Sequence, residues 1–377
     1  MRIGVNTRLL LEGKLTGIGW FTCQTLKWIV DNNPEHEFFF FFDRPAHEQF
    51  VFAPNVHPIV LSPKARHPIL FRIWMDFMVK RKAKSLKLDA FISPEGMLPL
   101  GLDVPILTVV HDLNFEHYPK DLAASHSKYY RKFFPKFCAK AKRIATVSEF
   151  SKQDIVAQYG MPEDKIDVVY NGVNDCFKPM SKQEISDKRK QLSGGDPYFV
   201  FIGMLHPRKN IHRLFQAFNQ FRLNTKSTTK LVIVGEKLWW DVDMEKAFEA
   251  LEFKADVIFT GHLSSEELVP TLGAAEALTY VPYFEGFGIP ILEGFKCDVP
   301  VITSNRTSMP EVAGNAAILV DPFSVDAIAW AMKNVSEDSA LRKRLIANGR
   351  ERLEMFSWEK SGKLLWNSFS KMMESKD

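Results

Sequence analysis

Two carboxylates and three glycines crowd into the run YFEGFGIPILEGF, residues 283–295. Glu285 stands just before the turn Gly286-Phe287-Gly288, and Glu293 follows eight residues later inside what reads as a helix. Pro290 suits the first helical turn, where its missing N–H has no partner to lose, and Gly288 suits the cap before it. A helix that starts at the carboxyl end of a parallel strand offers backbone N–H groups to an anion, above all a phosphate. Carboxylates repel phosphate, so the two acids are better matched to hydroxyl groups beside it, as on a sugar or a ribose. Taken singly each has a plainer explanation: Glu293 complements the helix dipole, and Glu285 is a solvated loop acid.

A second constellation lies in FIGMLHPRKNIHRLFQAF, residues 201–218, where a strand ends at Gly203 and a helix starts near Asn210. Arg208 and Lys209 occupy the short connection. A guanidinium fork and an ammonium beside a helix N-terminus match the oxygens of a diphosphate, although a solvated basic loop explains the fragment equally well. In PILTVVHDLNFEHYP, residues 105–119, His111 and Asp112 stand where a buried strand leaves its sheet, and a histidine there can donate to or accept from a ligand. A histidine satisfied by local backbone is the plainer alternative. Gly13, Gly17 and Gly19 in GKLTGIGW form a loop between the first strand and a helix expected over about 20–32, which lets backbone approach a ligand closely. The dinucleotide spacing G-x-G-x-x-G is not completed, because position 22 is Thr, and this argues against NAD.

The elements that would position these residues alternate between strand and helix along nearly the whole chain. This is the pattern of doubly wound α/β domains. The chain of 377 residues is too long for one conventional core. A polar stretch ending in Gly-Gly-Asp-Pro marks a linker with a short helix over 178–197, between a first domain at 1–177 and a second at 198–357. A terminal helix at 358–377 is free to pack back on the first domain. A ligand held in the cleft between the two is the expected arrangement. A formal charge of +4 gives nucleic acid binding no compositional support. The four cysteines are scattered without metal-site spacing and read as reduced thiols. The N-terminus enters a strand directly, without a signal-peptide core, and the location expected is the cytoplasm.

Taken together the motifs resemble the GT-B glycosyltransferases, specifically the large retaining family 4. Glu285 to Glu293 fits that family's E-x7-E signature, and TGIG (16–19), HDL (111–113), TVSEFSKQDI (146–155), VVYNGV (168–173), PRKN (207–210) and SMPEVAGNAAILVDP (308–322) follow in the family's order. The resemblance implies two Rossmann-like domains, the first binding the acceptor and the second the nucleotide sugar. It implies that Arg208 and Lys209 hold the diphosphate, that Glu293 binds ribose, that Glu285 contacts the transferred sugar, and that His111 lies near the reacting carbon. Gly17, Gly19, Gly203, Gly286, Phe287 and Gly288 would complete the donor site, and Gly261, His262 and Leu263 the nucleobase region. Many relatives carry arginine after the glycine corresponding to Gly203, whereas this chain has Met204, which leaves the part played by Arg208 open.

The expected activity is retaining, metal-independent hexosyl transfer from a nucleotide sugar to a glycan or lipid-linked acceptor, in bacterial-type polysaccharide synthesis. The stretches around His111 and Arg208 look most like transferases that use GDP-mannose, with a UDP-sugar as the main competitor. No cofactor is expected beyond the donor, because no Asp-x-Asp pair stands at a comparable strand end and two cations can replace a divalent ion. The alternatives are a nucleotide-sugar epimerase of the same architecture and a non-catalytic sugar-nucleotide-binding module. Basic runs at 79–87 and 129–143, the latter interleaved with aromatics, raise a peripheral seat on the inner face of a membrane. A core-facing aromatic stripe with a solvated cationic side is the plainer reading.

Overall fold

The computed structural model describes residues 1–65 and 67–375, so the last two residues of the expected terminal segment lie outside it. The chain divides into two compact units, Met1–Gly172 with Ser357–Asp377, and Val173–Phe356. Each is built on a parallel sheet whose strand order reverses near the middle.

In the first unit the described strands are β1 (Arg2–Asn6), β2 (Glu37–Phe42), β3 (Val56–Val60), β4 (Ala90–Ser93), β5 (Ile106–Val110), β6 (Arg143–Thr146) and β7 (Ile166–Val168). They form one sheet in the order β3-β2-β1-β4-β5-β6-β7. The five consecutive phenylalanines, Phe38 to Phe42, lie in β2 between two neighbours and are all buried, which is how an uninterrupted apolar run behaves in a sheet covered on both faces. The first helix, Gly17–Asn32, starts three residues earlier than its apolar periodicity suggests, so Gly17 and Gly19 form its first turn and not the loop before it. A helical rod runs from Pro68 to Ser85, with a π-helical middle at Ile73–Val79. The helix Ala124–Lys140 buries Tyr129, Phe133, Phe134 and Phe137 and turns Arg131, Lys132, Lys136 and Lys140 to solvent. The terminal helix Trp358–Glu374 closes this unit against Gly17–Asn32. Gly362 makes that contact possible, because a Cβ there would lie 2.6 Å from Cβ of Trp28.

The second unit carries β8 (Tyr198–Ile202), β9 (Lys230–Val234), β10 (Val257–Gly261), β11 (Ala277–Tyr280), β12 (Val301–Ser304) and β13 (Ala317–Val320), in the order β10-β9-β8-β11-β12-β13. The segment expected as a linker belongs to it. Ser181 and Glu184 cap a helix over Lys182–Ser193, Arg189 Nε donates to the Ala274 carbonyl at 2.8 Å, and Met180 packs on Gly273. Its polar composition reflects a mostly exposed helix with a half-buried edge of Ile185, Arg189 and Leu192. Adjacent β8 and β11 are the point where the order reverses, and the carboxyl ends of strands at such a point are where α/β sheets bind ligands.

Candidate active site

The loops that leave β8 and β11 carry the residues singled out by type and spacing. After β8 the chain passes Gly203 and enters a single 3₁₀ turn, Pro207–Lys209, which His206 caps by accepting from the Arg208 N–H at 3.3 Å. Asn210 then takes a left-handed conformation, φ 64°, and its side-chain amide donates to the Val281 carbonyl at 3.1 Å and the Pro322 carbonyl at 2.6 Å. This ties the turn to the strand ends beside it. The Tyr283 N–H donates to the Arg208 carbonyl at 3.0 Å, a further link between the two loops. Gly235, at the end of β9, has to be glycine: a Cβ there would lie 2.0 Å from the Gly203 carbonyl oxygen.

Arg208 and Lys209 converge on one carboxylate. Arg208 Nη1 donates to Glu285 Oε1 at 2.5 Å, and Lys209 Nζ forms an ion pair with the same oxygen. Lys209 also donates to the Tyr280 hydroxyl at 2.5 Å and sits 4.9 Å from the centre of its ring. Glu285 is buried. Burial pushes its pKa up, but the charges of Arg208 and Lys209 more than offset that and hold it below the usual carboxylate range. Burial, aided by the Glu285 charge, keeps the Tyr280 phenol protonated to well above its ordinary pKa. The result is a preorganised cluster of two cations and one anion, net positive, at the switch point of the sheet. From below, Ser308 Oγ donates to the Glu285 carbonyl at 2.9 Å, and the Glu285 N–H reaches Thr307 Oγ1 at 3.4 Å.

Beyond Glu285 the chain turns through Gly286 and Phe287 into the helix Ile289–Lys296, with Gly288 at its cap in the left-handed region, φ 93°, and Pro290 in its first turn. A side chain on Gly288 would be strained by that φ, and its Cβ would fall 2.8 Å from Met309 Cε. Phe287 is buried edge-on against Phe356. Glu293 is the fifth residue of the helix. Its side chain keeps some contact with solvent yet lies deep enough in protein that desolvation pushes its carboxyl up to about 7. Near neutral pH it can therefore donate or accept a hydrogen bond, whereas Glu285 only accepts.

Gly261, His262 and Leu263 sit at the end of β10, the edge strand two places from β8, with His262 exposed. An Asp-x-Asp pair does follow β9, at Asp241 and Asp243. Asp241 is a helix cap, its carboxylate accepting from the Met244 N–H at 2.8 Å. Among the described residues no three His, Cys, Asp or Glu side chains converge as a metal site.

In the first unit His111 follows β5. Its Nε2 lies 2.7 Å from the Pro94 carbonyl, which can only accept, so Nε2 carries the hydrogen and the neutral ring presents Nδ1 as an acceptor. Burial lowers its pKa, which keeps the ring neutral at physiological pH. Phe21, in the first helix, meets the ring edge-on at 5.1 Å. The first turn of that helix, from Gly17, leaves N–H groups with no intrahelical partner. A Cβ on Gly19 would come within 3.2 Å of the Leu9 carbonyl oxygen.

Sequence reasoning passed over a buried ionic cluster at the reversal point of this sheet. Arg8, two residues beyond β1, pairs through Nη2 with Glu95, two residues beyond β4, and its Nε donates to the second carboxylate oxygen at 3.1 Å. Asn6 Nδ2 donates to Glu95 at 2.5 Å and to Ser93 Oγ at 3.2 Å. The signal was present: a charged residue just past a buried strand is the same cue that drew notice to His111. Tyr280, the last residue of β11, gave no such cue because it reads as core.

The comparisons with known proteins extend over the same two units. Residues 16–176 match the family described as Glycosyltransferase Family 4, and residues 182–352 match Glycosyl transferases group 1. O-antigen chain mannosyltransferase B of Escherichia coli is 29% identical over 360 residues, 92% of this chain and 93% of that protein. O-antigen chain mannosyltransferase RfbU of Salmonella typhimurium is 31% identical over 291 residues, 76% of each chain. Among solved structures, sucrose-phosphate synthase from Thermosynechococcus elongatus superimposes with a TM-score of 0.80 at 18% identity over 100% of both chains. Anabaena HepE in complex with UDP and glucose gives 0.78 at 16% identity, over 98% of this chain and 100% of that one. The chain belongs to family 4 of the GT-B glycosyltransferases, with group 1 as its second half.

Proposed function

We propose that this glycosyltransferase moves mannose from GDP-mannose, with retention of configuration, to a glycan or lipid-linked acceptor in polysaccharide or glycoconjugate synthesis. The observation that carries the reading is the buried, net-positive cluster of Arg208, Lys209 and Glu285 at the switch point of the second sheet. As the bond between the sugar's anomeric carbon and the β-phosphate breaks, negative charge grows on the diphosphate and positive charge on the sugar. Fixed cations in a poorly hydrated site stabilise that leaving group without reorganising at the moment of reaction. Glu285, kept ionised by the same cations, accepts hydroxyl hydrogens from the sugar. Glu293 serves the ribose hydroxyls. The acceptor hydroxyl forms the new glycosidic bond on the face the diphosphate leaves, and passes its proton to the departing phosphate oxygen. With leaving-group charge supplied by side chains, the reaction needs no divalent ion.

The choice of mannose rests on the similarity to O-antigen mannosyltransferases over most of the chain. HepE, solved with UDP and glucose, favours a UDP-sugar as the second reading. Thermal melts with GDP, UDP, ADP and no nucleotide separate them. A ligand at 100 times its dissociation constant adds about 2.7 kcal/mol to the folded state. A shift selective for GDP supports the donor proposed, one selective for UDP replaces it, and no shift with any nucleotide removes the central ligand of the reading. A lipid-linked acceptor places the enzyme at the cytoplasmic face of a membrane.

A further inference from the structure

The loop that leaves β9, residues 236–241, is anchored by two of its side chains and displays two others. The Lys237 ammonium lies 4.3 Å from the centre of the Trp240 ring and 3.9 Å from that of Phe259. Trp240 in turn packs on Phe215, Phe248 and Phe259, with ring centres 5.8–6.2 Å apart, and its Nε1 donates to Glu245. Asp241 then caps the helix Val242–Glu249. Between these anchors Leu238 is 66% and Trp239 39% exposed, and Val242, in the first turn of the helix, is 65% exposed. A loop held this firmly has no packing reason to show an indole and two aliphatic side chains to solvent, and an apolar group of this kind marks a binding surface.

The exposed indole stands beside the cationic turn of the second unit. Its ring lies 5.1 Å from that of His206, which caps Pro207–Lys209 by accepting from the Arg208 N–H. The Leu205 N–H donates to the Glu236 carbonyl at 3.3 Å, which ties the loop after β8 to the loop after β9. The charge around the indole has the opposite sign to that turn: Glu236, Asp243 and Glu245 are exposed and Asp241 is half-buried, against Lys237 and Lys246. Such a surface repels a phosphate, and a two-fold contact with a second copy of the chain would set the same acids face to face. It suits a neutral sugar. A pyranose ring has an apolar face of C–H groups, which a rigid indole covers at little entropic cost, and a rim of hydroxyls that donate to carboxylates.

We propose that Trp239, flanked by Leu238 and Val242, is a stacking platform for a neutral hexose ring of the acceptor glycan, with Glu236 and Asp243 accepting from its hydroxyls. The second unit then holds part of the acceptor in addition to the donor, and it favours a chain of neutral sugars over a phosphorylated one. That the sugar belongs to the acceptor rests on the transferase reading above; that a sugar stacks on Trp239 does not.

The test is binding of mannotriose and of maltotriose to the full chain, followed by calorimetry and by saturation transfer to the sugar protons, for the wild type, Trp239→Ala, Trp239→Phe and Glu236→Gln/Asp243→Asn. The wild type is expected to bind at least one of the two. Trp239→Ala should bind it about tenfold or more weakly, from the apolar cover it loses, and Trp239→Phe should restore most of that affinity. The amide variant should show a smaller loss, because its side-chain oxygens still accept. Affinity for GDP and UDP should not change in Trp239→Ala, and unchanged melting temperatures show that the variants fold. A wild type that binds neither sugar, or an alanine variant that binds as tightly as the wild type, overturns the proposal. So does an alanine variant that loses nucleotide affinity and keeps the sugar's, which would put the donor's base on the indole. A wild-type dimer that Trp239→Ala converts to monomer, without any sugar binding, overturns it as well. Sugar binding through Trp239 by a chain that no nucleotide stabilises would keep the platform and remove the transferase reading; nucleotide binding without sugar binding would do the reverse.

Discussion

Replacing Glu293 with Gln should stabilise the protein, and the gain should depend on pH in a defined direction. Desolvation raises the Glu293 carboxyl from its ordinary 4.5 to about 7. At 1.36 kcal/mol per pKa unit, the cost of holding it ionised in the folded state is about 3 kcal/mol. Residual solvent contact lowers that to about 2 kcal/mol. The sign follows from which state ionises first. Below pH 4.5 the carboxyl is neutral in both states and costs nothing. As pH rises the unfolded chain ionises freely while the folded one resists, so the cost grows, and it is complete above pH 7. The Gln variant, which never ionises, should therefore gain little at pH 4 and about 2 kcal/mol at pH 8, or about 4–8 °C in the melting temperature of a domain this size. Melting both proteins across that range, with no nucleotide present, measures the difference directly. A variant whose advantage is the same at pH 4 and pH 8, or absent at both, would mean that Glu293 is ordinarily solvated and that the burial argument is wrong. If Glu293 serves the ribose as proposed, hydroxyls donating to it favour its charged form, and proton release is expected when a nucleoside diphosphate binds near pH 7.

Lys209→Ala should weaken nucleoside diphosphate binding by about 10-fold or more, the value of one charge-assisted hydrogen bond at the low end, since the ammonium is shared with Glu285 and Tyr280; unchanged affinity in calorimetry would remove the phosphate clamp. For Glu285→Ala, a folded protein without sugar transfer is expected, and full turnover would reduce Glu285 to a structural partner of the two cations. Chelation by EDTA should leave turnover intact. Activity that returns only with Mg²⁺ or Mn²⁺ would contradict charge neutralisation by Arg208 and Lys209.

The parts of the fold that depend on local chemistry were open to reading. Gly288 and Pro290 announce a helix start, and the apolar runs announce parallel strands. The parts that depend on distant contacts were not. That Glu285 takes both Arg208 and Lys209 on one oxygen is a tertiary fact, arising because β8 and β11 are neighbours in space while Arg208 and Glu285 lie 77 residues apart in the chain. Arg8 and Glu95 meet across 87 residues for the same reason. The segment 178–197 reads as a linker with a short helix, and the helix is there; that it packs on Gly273 and Ala274 is a further tertiary fact, which a polar composition does not report. That Ile69, Ile73 and Phe77 of Pro68–Ser85 stay exposed was hidden for the opposite cause: a helix apolar on two sides has the composition of core. Sequence periodicity reports which residues are apolar and is silent on whether a partner covers them.

The return of the helix Trp358–Glu374 to the first unit has a consequence for how the protein is made. The face of Gly17–Asn32 around Trp28 stays uncovered until residues beyond Ser357 leave the ribosome, after the whole of Val173–Phe356 has emerged. At about 5–20 residues per second that wait lasts about 10–40 s. The unit that begins synthesis first is thus the one that finishes folding last, and a chain cut short before Ser357 would carry an intact second unit joined to a first unit with its apolar flank open.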